Sequence, residues 1–276
     1  MSFKLEVTIL GCGSSGGVPR ADGNWGACDP ADPRNRRSRC SMMLRRPSEE
    51  GPERWTTIVV DASPEFRLQT AAAGAKRLDA LLMTHEHADQ THGLDDIRAF
   101  AMRQRARIPC RMDVATAEAM LRRFGYVFQG EKGYPAVADV VAIPPHGEPW
   151  CVEGPSGPIA VRTFDQDHGE VRSVGYRFGP VAYSPDVLDL GEDAFETLAG
   201  IDLWIVDALR YTPHPTHAHL ERTLGWIERV KPRRAVLTNM HIDLDFTELA
   251  ARLPAGVEPA VDGQRIELHI DDNFSC

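Results

Sequence analysis

The stretch T-H-E-H-A-D-Q-T-H-G, residues 84–93, follows the apolar run A-L-L-M (80–83), and its reading decides how the rest of the chain is understood. An apolar run that ends abruptly in polar residues reads as a short buried strand surfacing at its C-terminal end. Between His85 and His92 stand three histidines and two acids. Imidazole and carboxylate groups are costly to bury without partners, so packing does not account for the cluster. Two histidines at i and i+2 and a carboxylate at i+4, carried on a strand-to-helix turn, can converge on one divalent ion, and both ligand types suit zinc, manganese or iron. His85, His87 and Asp89 are therefore the first candidate metal ligands. The spacing differs from H-E-x-x-H, which argues against the helical site of a metalloprotease.

Outward from this segment, β-branched runs recur at 5–10, 56–61, 181–186, 203–208 and 235–241, most of them ending in a polar residue. Helix-like stretches lie between them: PEFRLQTAAAG with Gly74 as C-cap, AEAMLRRFG closed by Gly125, and HLERTLGWIERVK ended by Pro232. Strands alternating with helices predict a layered α/β or α+β domain. Residues 11–39 are rich in Gly, Pro, Asp and Arg without periodicity and read as a long functional loop. Residues 129–158 read as a surface excursion. No repeat or linker divides the chain, so residues 1–276 are expected to form a single domain.

Composition narrows the function. The 276 residues are 42% hydrophobic, enough for a sizeable core, and carry a net charge of −9. That balance argues against clamping large nucleic acids through bulk positive charge. Six cysteines lie far apart without C-x-x-C pairs, which suggests free thiols in a reducing compartment. The N-terminus lacks a leader pattern, and no run approaches the roughly 18 apolar residues of a membrane span. A cytoplasmic protein with no membrane role is expected, and a homodimer is left open.

The 84–93 segment resembles the H-x-H-x-D-H-x-x-G signature of the metallo-β-lactamase superfamily, with His85, His87, Asp89 and Gly93 in register and Gln90 at the final histidine. Further pieces follow in the family order: DQDHG with His168, AYSPD with Asp186, and LTNMH with His241. The resemblance implies a four-layer αββα sandwich and a metal-dependent hydrolase with two divalent ions, zinc or manganese. It implies that His85, His87 and His168 hold one ion, that Asp89 helps hold the second, and that Asp186 bridges them. The family's L-T-H places its histidine at Asn239, whereas this chain has His241 two positions on. Residues i and i+2 of an extended strand face one side, so His241 is taken as the ligand, and which of the two faces the metal stays open. With Gln90 for histidine, the second site is expected to be richer in oxygen, weaker for zinc and more tolerant of manganese.

Within that superfamily the pattern is most similar to PhnP-type phosphodiesterases, which implies hydrolysis of a small, cyclic phosphodiester by a metal-bound hydroxide. His217 stands 22 positions before Asn239, a separation similar to that of the catalytic histidine in this branch, and is the candidate proton donor beside Asp89. Asp61, ending TTIVVD, looks like the family acid that orients a ligand histidine. In the basic run R-N-R-R-S-R, Arg37 and Arg39 are candidates to hold a phosphorylated substrate, because guanidinium forks match phosphate oxygens. The G-x-G-x-x-G match at 11–17 lacks the helix that a dinucleotide turn must open. Three rivals remain open: a tRNase Z-like nuclease, a thioester or lactone hydrolase of the same fold, and a non-catalytic metal or ligand sensor.

Overall fold

Alternation along a single strand sets the layering. In Ser41–Arg46, Met42 and Leu44 belong to one buried cluster and Met43 to another, as the two-residue period of a strand covered on both faces requires. The computed structural model describes residues 2–271. Its first sheet contains β1 (Ser2–Gly11), β2 (Ser41–Arg46), β3 (Thr56–Val60), β4 (Ala80–Leu82), β5 (Ile108–Met112) and β6 (Ala138–Ala142). The second contains β7 (Trp150–Val152), β8 (Ile159–His168), β9 (Val171–Phe178), β10 (Val181–Ser184), β11 (Asp189–Leu190), β12 (Leu203–Asp207), β13 (Arg234–Thr238) and β14 (Val257–Pro259). The last strand, β15 (Arg265–Asp271), returns to the first sheet. The order is β15-β1-β2-β3-β4-β5-β6 in one sheet and β11-β8-β9-β10-β12-β13-β14 in the other, with β7 on β8. Strands β3 to β6 run parallel, as do β10, β12, β13 and β14.

Between the sheets lies a continuous core in which Leu5, Val7, Met42, Leu44, Ile58 and Val60 face Phe164, Tyr176, Tyr183, Ile205 and Val236. The other face of the first sheet is covered by α1 (Phe66–Ala72), α3 (Arg98–Gln104) and α4 (Val114–Gln129), with α2 (Ala88–Thr91) as the turn after β4. Leu198, Trp226, Ile227 and Leu249, from α5 (Glu192–Leu198), α6 (Leu220–Val230) and α7 (Phe246–Arg252), add to the second sheet's core. The result is the αββα sandwich.

Several boundaries differ from expectation. Gly125 does not close its helix: α4 continues through a kink at Phe124 and ends before Gly130. Asp113 caps its start by accepting from the Thr116 N–H at 2.7 Å. The 129–158 excursion contains β6, which pairs with β5 across the intervening α4, and β7, which pairs with the adjacent β8. Cys12, Cys28, Cys40 and Cys110 are free and buried, but Cys151 is disulfide-bonded, so the expectation of free thiols fails there. Cys276 lies outside the described residues. Among the described residues no helix is long and apolar enough to cross a membrane.

Candidate metal centre

Parallel strands of both sheets end at one place, where crevices form at the carboxyl ends of strands. Asp61 follows β3, Asp186 lies two residues past β10, and Asn239 follows β13; each has positive φ (64°, 49° and 60°). Such backbone costs about 1–3 kcal/mol per residue and is cheapest for Asp and Asn, which fits its use at a functional centre. Gly93 allows the turn after α2 to pack: a Cβ there would lie 2.0 Å from the Ser63 carbonyl oxygen.

From the first sheet come His85 and His87, and from the end of β8 comes His168; one ligand atom of each lies within 4.8 Å of the others. Asp61 accepts from both the N–H and the hydroxyl of Thr84, and that hydroxyl lies 3.0 Å from His85 Nδ1. With Asp61 ionised, the single Thr84 proton goes to it. His85 Nδ1 then donates to Thr84, so Asp61 orients the ring through an intermediary. This leaves the buried His85 Nε2, which has no hydrogen-bond partner, as a free lone pair toward the cluster. His168 Nδ1 donates to the Thr216 carbonyl at 2.7 Å and likewise presents Nε2, 3.2 Å from His87 Nδ1.

A second group joins His168, Asp186 and His217 within the same distance. His217 Nδ1 lies 2.8 Å from Oδ2 of the buried Asp207, at the end of β12. Burial works against a charged His217 ring, but Asp207, Asp186 and Asp89 outweigh it and raise the group to about 9. Burial, with Asp89 beside it, pushes Asp186 up, and burial pushes Asp61 well up. Burial and the neighbouring His217 hold His168 down at about 3, and burial with His168 and His87 lowers His85. Neutral imidazoles facing buried carboxylates with no Arg or Lys counter-charge are the donor set of a divalent cation, so the residues fit such an ion.

Two expected residues are placed elsewhere. His241 is not in either group: its Nε2 meets the Arg20 guanidinium, and its Nδ1 lies 3.0 Å from Asp243. The alternation argument fails there because β13 ends at Thr238 and the left-handed Asn239 breaks it, so Asn239 is the residue that faces the centre. Arg37, expected to hold substrate, does not line the cleft. It is 2% exposed and donates to the Leu244 and His241 carbonyls, tying the 11–39 loop to the segment after β13. Arg39 pairs with Glu65 and, with Arg20, Ser15, Asp89 and His92, lines a cleft of about 470 Å³. Asp89 stands at that wall, outside both histidine groups. Sequence reasoning missed Arg20, Cys40 and Asp207, although Asp207 closes an apolar strand just as Asp61 does.

Residues 56–242 match a family described as "Beta-lactamase superfamily domain". The chain belongs to the metallo-β-lactamase superfamily. A crystal structure titled as a new diphosphatase from the PhnP family is 32% identical, with a TM-score of 0.84 over 98% of this chain and 99% of that one. Zinc-bound PqqB from Methylobacterium extorquens shares the superfamily fold at 19% identity, with a TM-score of 0.71 over 95% of this chain and 100% of that one. An octanoyltransferase of Porphyromonas gingivalis is 28% identical over 97% of this chain but only 52% of its own length, so the chain spans about half of that relative. This metallo-β-lactamase-fold chain is thus a member of a hydrolytic superfamily, with a His/Asp cluster suited to divalent metal.

Proposed function

We propose that this chain is a metal-dependent phosphohydrolase that cleaves a P–O bond in a small phosphodiester, cyclic ones included. The observation that carries the reading is the convergence of the histidine group and the His217–Asp207 pair beside a cleft lined by Arg20 and Arg39. His85, His87 and His168 would hold a divalent ion, which would supply Lewis acidity toward a phosphoryl oxygen and toward water. The two guanidinium groups orient the anionic oxygens. His217, fixed through Nδ1 by Asp207, gives the proton on Nε2 to the departing oxygen as the P–O bond breaks, while water adds its hydroxyl to phosphorus and releases its other proton to solvent. The likeness to a PhnP-family diphosphatase supports phosphate chemistry.

A second reading, hydrolysis of an acyl thioester, is favoured by the octanoyltransferase relative alone. Metal-loaded protein should be assayed against bis-p-nitrophenyl phosphate, a 2′,3′-cyclic nucleotide, inorganic diphosphate and an octanoyl thioester. Phosphodiester turnover well above the thioester rate is expected. Faster thioester cleavage would overturn the proposal, and preference for diphosphate would keep the reaction but change the substrate.

A further inference from the structure

We propose that this chain holds one divalent ion where the resemblance implies two, because the amide groups of Gln90 and Asn239 occupy the second position as hydrogen-bond donors. The inference rests on the metal-centre reading and is independent of the substrate. Gln90 is fully buried, and its Nε2 donates to Asp186 Oδ2 at 2.8 Å, with Cys40 Sγ at 3.1 Å and Asp89 Oδ2 at 3.5 Å. An amide nitrogen has no lone pair to give a cation. In this orientation the nitrogen has Asp186, Cys40 and Asp89 as partners, whereas the amide oxygen is buried without one. The carboxylate that the resemblance makes a bridge therefore already has one oxygen engaged by an N–H donor.

Asn239 repeats the arrangement from the opposite sheet. Its Nδ2 donates to Asp207 Oδ2 at 3.3 Å, so it too is held as a donor, with its Oδ1 3.8 Å from the Cys40 thiol. The histidine that could have replaced it, His241, is turned away, with Nε2 against Arg20 and Nδ1 3.0 Å from Asp243. Nor can the two ligand groups be filled at once. They share His168, and because Nδ1 of that ring donates to the Thr216 carbonyl, a single lone pair on Nε2 serves both. Without His168, the second group keeps only Asp186 and His217, fewer than the three protein ligands that a catalytic zinc site uses.

The count can be read without turnover. Full-length protein stripped with chelator, reloaded with excess zinc and desalted should carry one ion per chain by elemental analysis and native mass spectrometry. Reloaded with manganese, it should give the six-line electron paramagnetic resonance signal of an isolated ion. The double variant Gln90→His/Asn239→His, which restores two imidazoles, should carry two ions and show exchange coupling between manganese centres. Two zinc ions in the unmodified chain would overturn the inference, and none would overturn both it and the metal-centre reading. A folded double variant that still holds one ion would show that the amides are not what excludes the second. If that variant fails to fold, the count on the unmodified chain decides alone.

Discussion

His217 shows how one side chain is set to its task by another that is far away in sequence. Asp207 accepts the hydrogen bond from its Nδ1–H and, with Asp186 and Asp89, outweighs burial to raise the ring to about 9. A protonated donor of this kind is present below that value and is lost as pH rises through it. Asp207→Asn removes the largest influence favouring the charged ring, so the alkaline limb of the kcat profile with a small phosphodiester should move to lower pH. His217→Ala should reduce kcat about 10²-fold or more, the usual scale for losing a general acid, with metal content unchanged. The first test is the pH–rate profile; an unmoved limb in Asp207→Asn would remove His217 from the proton-donor role. Of these residues, His217 was legible through its spacing, whereas the Asp207 that controls it lies on a strand whose local pattern is only apolar.

At the scale of elements, the ligands are precise only if the two sheets keep their mutual position. One direct tie is Tyr176 of β9, whose buried hydroxyl donates to the Met83 carbonyl beside β4 at 2.7 Å. The bond reaches from one sheet to the segment that carries His85. Tyr176→Phe leaves that carbonyl without its donor and should cost about 1–2 kcal/mol, measured as a lower urea midpoint with unchanged slope. Metal affinity should fall as well, because the 83–87 turn loses its anchor to the facing sheet. An unchanged midpoint would mean that water replaces the phenol at no cost. The strands with long apolar runs were readable from sequence, but β6 and β7 were not, since both are partly exposed, β7 is only three residues long and β6 finds its partner on the far side of α4.

For the whole molecule, the buried acids make stability depend on metal and pH together. Without metal, His217 is raised from the ordinary histidine range to about 9, so its stabilising contribution is complete below the unfolded value and is lost as pH rises to about 9. Asp186 is also pushed up, so the folded state holds a proton that the unfolded state has released, and stability declines in the same direction. Metal-free protein should therefore lose thermal stability as pH rises, the Asp186 share between about pH 4 and 8 and the His217 share between about 6.5 and 9. Bound metal opposes this. At a thousand-fold excess over its Kd an ion that binds only the folded chain adds about 4 kcal/mol, so chelation should lower Tm most at the alkaline end of that window. Melting curves with and without chelator across this range would check it; a chelator effect independent of pH would show that Asp186 and His217 do not titrate with folding.

The sequence by itself determined the local chemistry: a short apolar strand followed by His85, His87 and Asp89, the order of His168 and Asp186 after them, and the mixed α/β class. These were legible because each depends on neighbours within a few residues or on a motif of fixed spacing. Only the tertiary structure decided between Asn239 and His241, placed Arg37 in the protein interior instead of the cleft, and brought Arg20, Cys40 and Asp207 to the centre. Those outcomes turn on where a strand ends, which way a left-handed residue points the chain, and which buried donors meet which buried acceptors. Such facts are set by packing between segments more than two hundred residues apart, as when Arg37 meets Leu244, and no local pattern encodes them.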